Sequence, residues 1–131
     1  MIDCLVIGDS IAEGFHRYRP ECVIYAKTGI TTSGWNKLFN SKDLTAKIVI
    51  ISLGSNNSND IWSDLVELRK SIVAEKVFWI MPNIETKKDQ ANTVLKVANL
   101  SNDKLLSTNR YYKDKIHPTM IGYKELAQQT K

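Results

Sequence analysis

The chain has 131 residues, enough for one domain with a real core and too few for two. A hydrophobic fraction of 43%, a charged fraction of 24% and a net charge of +4 exclude a disordered or low-complexity chain. Scattered basic residues, no apolar run near the roughly 18 residues that span a bilayer, and an N-terminus without a basic segment lead us to expect a cytoplasmic protein with no nucleic-acid or membrane partner.

The first apolar run, Cys4-Leu5-Val6-Ile7, reads as a buried strand and ends in Gly8-Asp9-Ser10. A serine directly after a strand and before a helix start projects from the carboxyl edge of a sheet. The same residues also suit a plain helix cap at Asp9 or Ser10. Cys22-Val23-Ile24-Tyr25 is the second strand, followed by Lys27-Thr28-Gly29-Ile30-Thr31-Thr32. Gly29 suits a tight turn or a close backbone approach. Cys4 and Cys22 show no metal-ligand spacing, and each sits in an apolar stretch, so buried free thiols are expected.

Ile48-Val49-Ile50-Ile51 forms the third strand and leads into Gly54-Ser55-Asn56-Asn57. Asn56 suits either an amide aimed at a site or a turn-forming side chain. Asn59 or Asp60 can cap a helix running to about residue 74, with Ile61, Trp62, Leu65, Leu68, Ile72 and Val73 on its apolar stripe. The fourth strand, Val77-Phe78-Trp79-Ile80-Met81, stops at Pro82. Trp62 and Trp79 are assigned to packing. Thr86 can cap a helix with Ala91, Val94, Leu95 and Ala98 on one side, Lys104-Leu105-Leu106 is a weak fifth strand, and Thr119 can cap a last helix. Alternating strands and helices predict a three-layer α/β/α sandwich over one domain, residues 1–131, with a parallel sheet of about five strands. Ligands in such sheets bind beyond the carboxyl ends of the strands.

Asp114-Lys115-Ile116-His117-Pro118 precedes the last helix. A spacing of three places a carboxylate within reach of the imidazole, although a surface histidine in a capped turn has the same signature. His16 has no acidic neighbour at useful spacing.

Taken together, these blocks resemble the SGNH hydrolases, also called the GDSL esterase/lipase family. Gly8-Asp9-Ser10 looks like the first block, Gly29 like the glycine of the second, and Asn56 like the asparagine of the third. Asp114-Lys115-Ile116-His117 looks like the D-x-x-H block, and the resemblance spans residues 5–118. Asn57 stands where the family often has an acid. The resemblance implies a flavodoxin-like sheet and a serine esterase. Its implied catalytic residues are Ser10, His117 and Asp114, and its oxyanion hole is formed by Ser10, Gly29 and Asn56. It implies no metal and no cofactor. Asp9, Trp35 and Asn83 are the candidate substrate contacts, with Tyr111 and Tyr112 near them. The short chain suggests an open cleft for a small acyl group such as acetyl, carried on a small molecule or a glycan. A catalytically silent carbohydrate-binding module and an O-acyltransferase are the alternatives on the same fold. A phosphate-binding reading of the first loop leaves Asp114 and His117 without a role.

Overall fold

The computed structural model describes residues 1–131. Five strands, β1 (Ile2–Gly8), β2 (Val23–Ala26), β3 (Thr45–Ser52), β4 (Val73–Ile80) and β5 (Lys104–Leu106), form one sheet in the order β2-β1-β3-β4-β5. All four strand pairings are parallel. Each strand is followed by a helix: α1 (Ser10–His16), α2 (Thr32–Leu38), α3 (Trp62–Lys70), α4 (Lys88–Leu100) and α5 (Met120–Gln128).

The central strands are apolar on both faces because helices cover both. Leu5, Ile7, Val49, Ile51, Val77 and Trp79 face α2, α3 and α4, packing with Trp35, Leu65, Leu68, Val94 and Val97. Cys4, Val6, Ile50, Phe78 and Ile80 face the other way, onto Ile11, Ala12 and Phe15 of α1 and Leu126 and Ala127 of α5. The strand order reverses direction between β1 and β3. The loops leaving those two strands therefore diverge and open a crevice, the usual place for a ligand in doubly wound sheets.

Four expectations about the scaffold need correction. Cys4 and Cys22 are not free thiols; they are joined in a disulfide, with Cα atoms 4.8 Å apart. The β1–β2 register pairs Leu5 with Val23, so the two cysteines one step earlier become neighbours. That adjacency exists only once the strands pair. The third helix stops at Lys70, and Val73 begins β4 instead. A turn at Ser71 intervenes, its N–H donating to the Leu68 carbonyl. Trp62 is not core: it opens α3 and is 40% exposed. Thr86 does not cap α4, whose N-cap is Lys87. No helix is long and apolar enough to cross a membrane.

Candidate active site

β1 ends at Gly8, whose φ is +145°. A Cβ at this position would lie 1.9 Å from the Ser52 carbonyl oxygen, so only glycine lets β1 run this close to β3. The chain leaves the sheet here, and the Asp9 N–H donates to Ser52 O at 3.1 Å. Asp9 then caps α1. Its Oδ1 accepts from the N–H groups of Ile11 (3.0 Å) and Ala12 (3.4 Å) and from the Ser52 hydroxyl (3.1 Å). Asp9 is fully buried, so it has no surface to offer a substrate, contrary to its candidate role as a contact. Its second oxygen, Oδ2, has no partner. Burial pushes its carboxyl up to about 6, against the opposing pull of its three hydrogen bonds.

Ser10 is the first residue of α1 and is half-buried at the carboxyl edge of the sheet. Its hydroxyl lies 2.8 Å from His117 Nε2. His117 Nδ1 lies 2.7 Å from Asp114 Oδ2. With the Nδ1 proton donated to Asp114, Nε2 is left to accept from the Ser10 hydroxyl. The chain Ser10–His117–Asp114 is thus continuous, although 107 positions separate Ser10 from His117.

The local structure explains the D-x-x-H spacing. Asp114 Oδ1 accepts from the N–H groups of Ile116 (2.9 Å) and His117 (3.0 Å), folding the loop onto itself, while Oδ2 is left for the imidazole. These bonds hold the Asp114 carboxyl down at about 2, the Ile116 N–H contributing most and the His117 side chain next. Tyr111 and Pro118 form a bridge across the loop, and the Tyr112 N–H donates to the His117 carbonyl at 2.9 Å. Lys115 at the tip takes a φ of +56°. Its carbonyl accepts from Asn83 Nδ2 (2.8 Å) and from the Thr86 hydroxyl (2.9 Å). Asn83 is therefore not a substrate contact. It is buried and anchors the loop that carries His117.

The remaining candidates come from the two loops flanking β1. Gly29 sits at φ +78° with open space around it, so the turn's backbone alone demands glycine there. Its N–H makes no backbone hydrogen bond, and the Ser10 N–H stands at the first position of α1, where no intrahelical carbonyl is available to it. Asn56 gives one amide hydrogen to the Ile30 carbonyl at 3.1 Å, which sets the group beside the Gly29 turn. Asn57 is buried, accepts from the Thr32 N–H (3.1 Å) and donates to Asn59 Oδ1 (2.9 Å). A carboxylate could make the first bond but not the second, which suits an amide at this position. Trp35 does not line the cleft: it is 2% exposed, packs on Phe39 and donates its indole N–H to the Tyr25 carbonyl. His16 lies outside the site, with its Nε2 2.8 Å from the Cys22 carbonyl.

Ser10, Asp114 and His117 open onto a cleft of about 690 Å³ whose walls include Glu13, Arg17, Tyr112 and Tyr123. Sequence reasoning missed Glu13, Arg17 and Tyr123. Glu13 and Arg17 follow Ser10 by three and seven positions, a spacing that places them on one face of α1. Tyr123 comes from α5, and no local signal points to it. It seats against Gly14, where a Cβ would lie 2.3 Å from the tyrosine ring. Burial and the nearby Asp9 charge push its phenol up to about 12. Cys4, Glu21 and Cys22 gather their ligand atoms within 4.8 Å, but the disulfide occupies both sulfurs, so the group does not suit a metal.

No protein-family model matches the chain, and no curated protein matches it. Solved structures do, two of them over 98% of this chain. A protein from Bacteroides fragilis provisionally assigned as an acylhydrolase superposes with a TM-score of 0.65 at 17% identity, covering 98% of this chain and 85% of its own. The C-terminal catalytic domain of Streptococcus pneumoniae peptidoglycan O-acetyltransferase A, bearing a methylsulfonyl adduct, gives 0.67 at 18% identity, covering 98% and 90%. The chain shares the α/β fold of these two proteins, with its single parallel five-stranded sheet. At this level of identity the match speaks to architecture alone, and the chemistry rests on the side chains of this chain.

Proposed function

We propose that the protein is a serine ester hydrolase that works through an acyl-enzyme on Ser10. The observation that carries the proposal is the unbroken hydrogen-bonded path from the Ser10 hydroxyl through both nitrogens of His117 to Asp114. A silent binding module has no need of that geometry.

In this reading His117 Nε2 takes the Ser10 proton as the Oγ attacks the ester carbonyl. Asp114 orients the imidazole and stabilises the imidazolium. The tetrahedral oxyanion is met by the N–H groups of Ser10 and Gly29 and by the second amide hydrogen of Asn56. His117 then gives its proton to the departing alkoxide, the alcohol leaves, and Ser10 carries the acyl group. Water, deprotonated by His117, attacks the acyl-enzyme and releases the acid and Ser10. The side chains of His117 and Asp114 retain 40% and 48% of their exposure, so water reaches the intermediate. The substrate in this reading is a small acyl group such as acetyl on a polar alcohol or sugar, whose hydroxyls can meet Glu13, Arg17 and Thr28 along the cleft. The Cys4–Cys22 bridge suits an oxidising environment better than the reducing cytosol.

A second reading, acyl transfer to a sugar hydroxyl, is favoured by the likeness to the O-acetyltransferase domain. It uses the same Ser10 intermediate and differs only in the acceptor.

The test is hydrolysis of p-nitrophenyl acetate. Ser10→Ala and His117→Ala are expected to lose turnover by about a million-fold, and Asn56→Ala by roughly a hundred- to a thousand-fold. Wild-type turnover in Ser10→Ala would overturn the assignment. Product analysis with added saccharide acceptors separates hydrolysis from transfer.

A further inference from the structure

The chain carries a second groove that the proposed chemistry does not use. It has a volume of about 520 Å³ and lies between the β3–α3 loop and α4, with Asn59, Asp60 and Trp62 on one wall and Asp89, Asn92 and Lys96 on the other. We propose that this groove binds a neutral saccharide chain. The proposal stands whether or not Ser10 hydrolyses an ester.

Trp62 is the first reason. Of the three tryptophans, Trp35 and Trp79 are 2% and 0% exposed, while Trp62 is 40% exposed. Trp35 donates its indole N–H to Tyr25 O and Trp79 donates to Asp103. The Trp62 indole makes no hydrogen bond, and its backbone N–H donates to Asp60 Oδ1 at 3.0 Å. A large apolar ring with a free polar edge is thereby left facing solvent, an arrangement that favours a partner with both C–H and O–H surface.

The second reason is what surrounds the ring. Carboxylates and amides dominate the other walls, and these are the groups that bond adjacent sugar hydroxyls as paired acceptors and donors. A pyranose presents a flat C–H face for the indole and hydroxyls at its edge for Asp89 and Asn92. The charge balance selects against anions: Asp60 and Asp89 outnumber Lys96.

The third reason is that the groove is built rigidly. Buried Gln90 on α4 donates through Nε2 to the Asn59 carbonyl at 3.2 Å, and Lys87 Nζ donates to the Asn57 carbonyl at 3.1 Å. Both bonds clamp the loop to the helix, so little freedom is lost when a ligand enters. The same loop turns its inner residues Asn56 and Asn57 toward Ile30 and Thr32. The groove thus shares the carboxyl edge of the sheet with Ser10, one loop away.

The exposure pattern supplies the experiment. Because Trp62 is the exposed tryptophan, iodide quenching of intrinsic fluorescence reports on this groove. We expect cellohexaose or chitohexaose to protect the indole from iodide in a saturable way. An oligogalacturonate of equal length is expected not to. Asn92→Ala should weaken the apparent affinity about tenfold, the loss of one good hydrogen bond. Trp62→Ala should abolish binding, measured by calorimetry, while p-nitrophenyl acetate turnover stays within about twofold of wild type. Circular dichroism and melting temperature establish that each variant folds. Lack of saturable protection by either neutral oligosaccharide up to about 10 mM, ten times a millimolar Kd, would overturn the proposal. So would unaltered calorimetric binding in both folded variants, or tighter binding of the oligogalacturonate.

Discussion

Asp9→Asn isolates the energetic consequence of burying a carboxyl directly behind Ser10. The wild-type group has its pKa raised from 3.8 to about 6, with desolvation the leading cause. Folding therefore favours the protonated carboxyl. Its stabilising contribution is complete below pH 3.8 and is lost as pH rises through about 6. A shift of roughly two units corresponds to about 3 kcal/mol between the two limits. Asparagine keeps the Oδ1 acceptor for Ile11, Ala12 and Ser52 but cannot ionise. Its amide places an unpartnered donor where Oδ2 stood, a cost of about 1–3 kcal/mol that does not vary with pH. The stability of the variant relative to wild type should therefore climb by about 2.5 kcal/mol between pH 4 and pH 8, the remainder of the change lying below pH 4. Asp114, held at about 2, titrates below this window, and Tyr123, at about 12, titrates above it. Urea unfolding of both proteins at half-unit pH steps gives the difference directly, because groups common to both cancel. Two stability profiles that run parallel within about 0.5 kcal/mol, a normal surface-mutation effect, would refute the claim that desolvation dominates at Asp9.

Two further variants probe the scaffold of the site. Asn83→Ala removes the amide that holds the Lys115 carbonyl and should lower kcat for p-nitrophenyl acetate by more than tenfold with a smaller change in KM, because the loop carrying His117 is then misplaced. An unchanged kcat would show that the Thr86 hydroxyl and the internal bonds of Asp114 are sufficient. Reduction of the Cys4–Cys22 bridge, whose cysteines are 18 positions apart, should cost about 3 kcal/mol by the loop-closure relation. For a chain of this size that is a fall of about 10 °C in Tm, read by calorimetry with and without dithiothreitol. An unchanged Tm after verified reduction would count against the bridge as a structural element.

Much of the fold was legible because its signals are local. Unbroken apolar runs at Cys4–Ile7, Ile48–Ile51 and Val77–Met81 announced strands buried on both faces, and Thr119 caps α5 through the Gly122 N–H as its position suggested. Boundaries were less legible. The apolar period that carried the third helix to residue 74 runs on into β4, since Ile72 and Val73 suit both elements. The residues of the candidate site were nameable as short blocks, but their separation along the chain hides whether they meet.

The chain order of apolar runs and caps thus determined an α/β/α sheet by itself, because periodicity and capping are properties of neighbouring residues. Tertiary structure alone decided what distant residues become to one another. It brought Ser10 Oγ to 2.8 Å from His117 Nε2 and joined Cys4 to Cys22 through strand register. It also buried Asp9 and Trp35 out of reach of any substrate while leaving Trp62 exposed. Burial and long-range contact depend on which surfaces the crossing helices cover, and no window of local sequence contains that information.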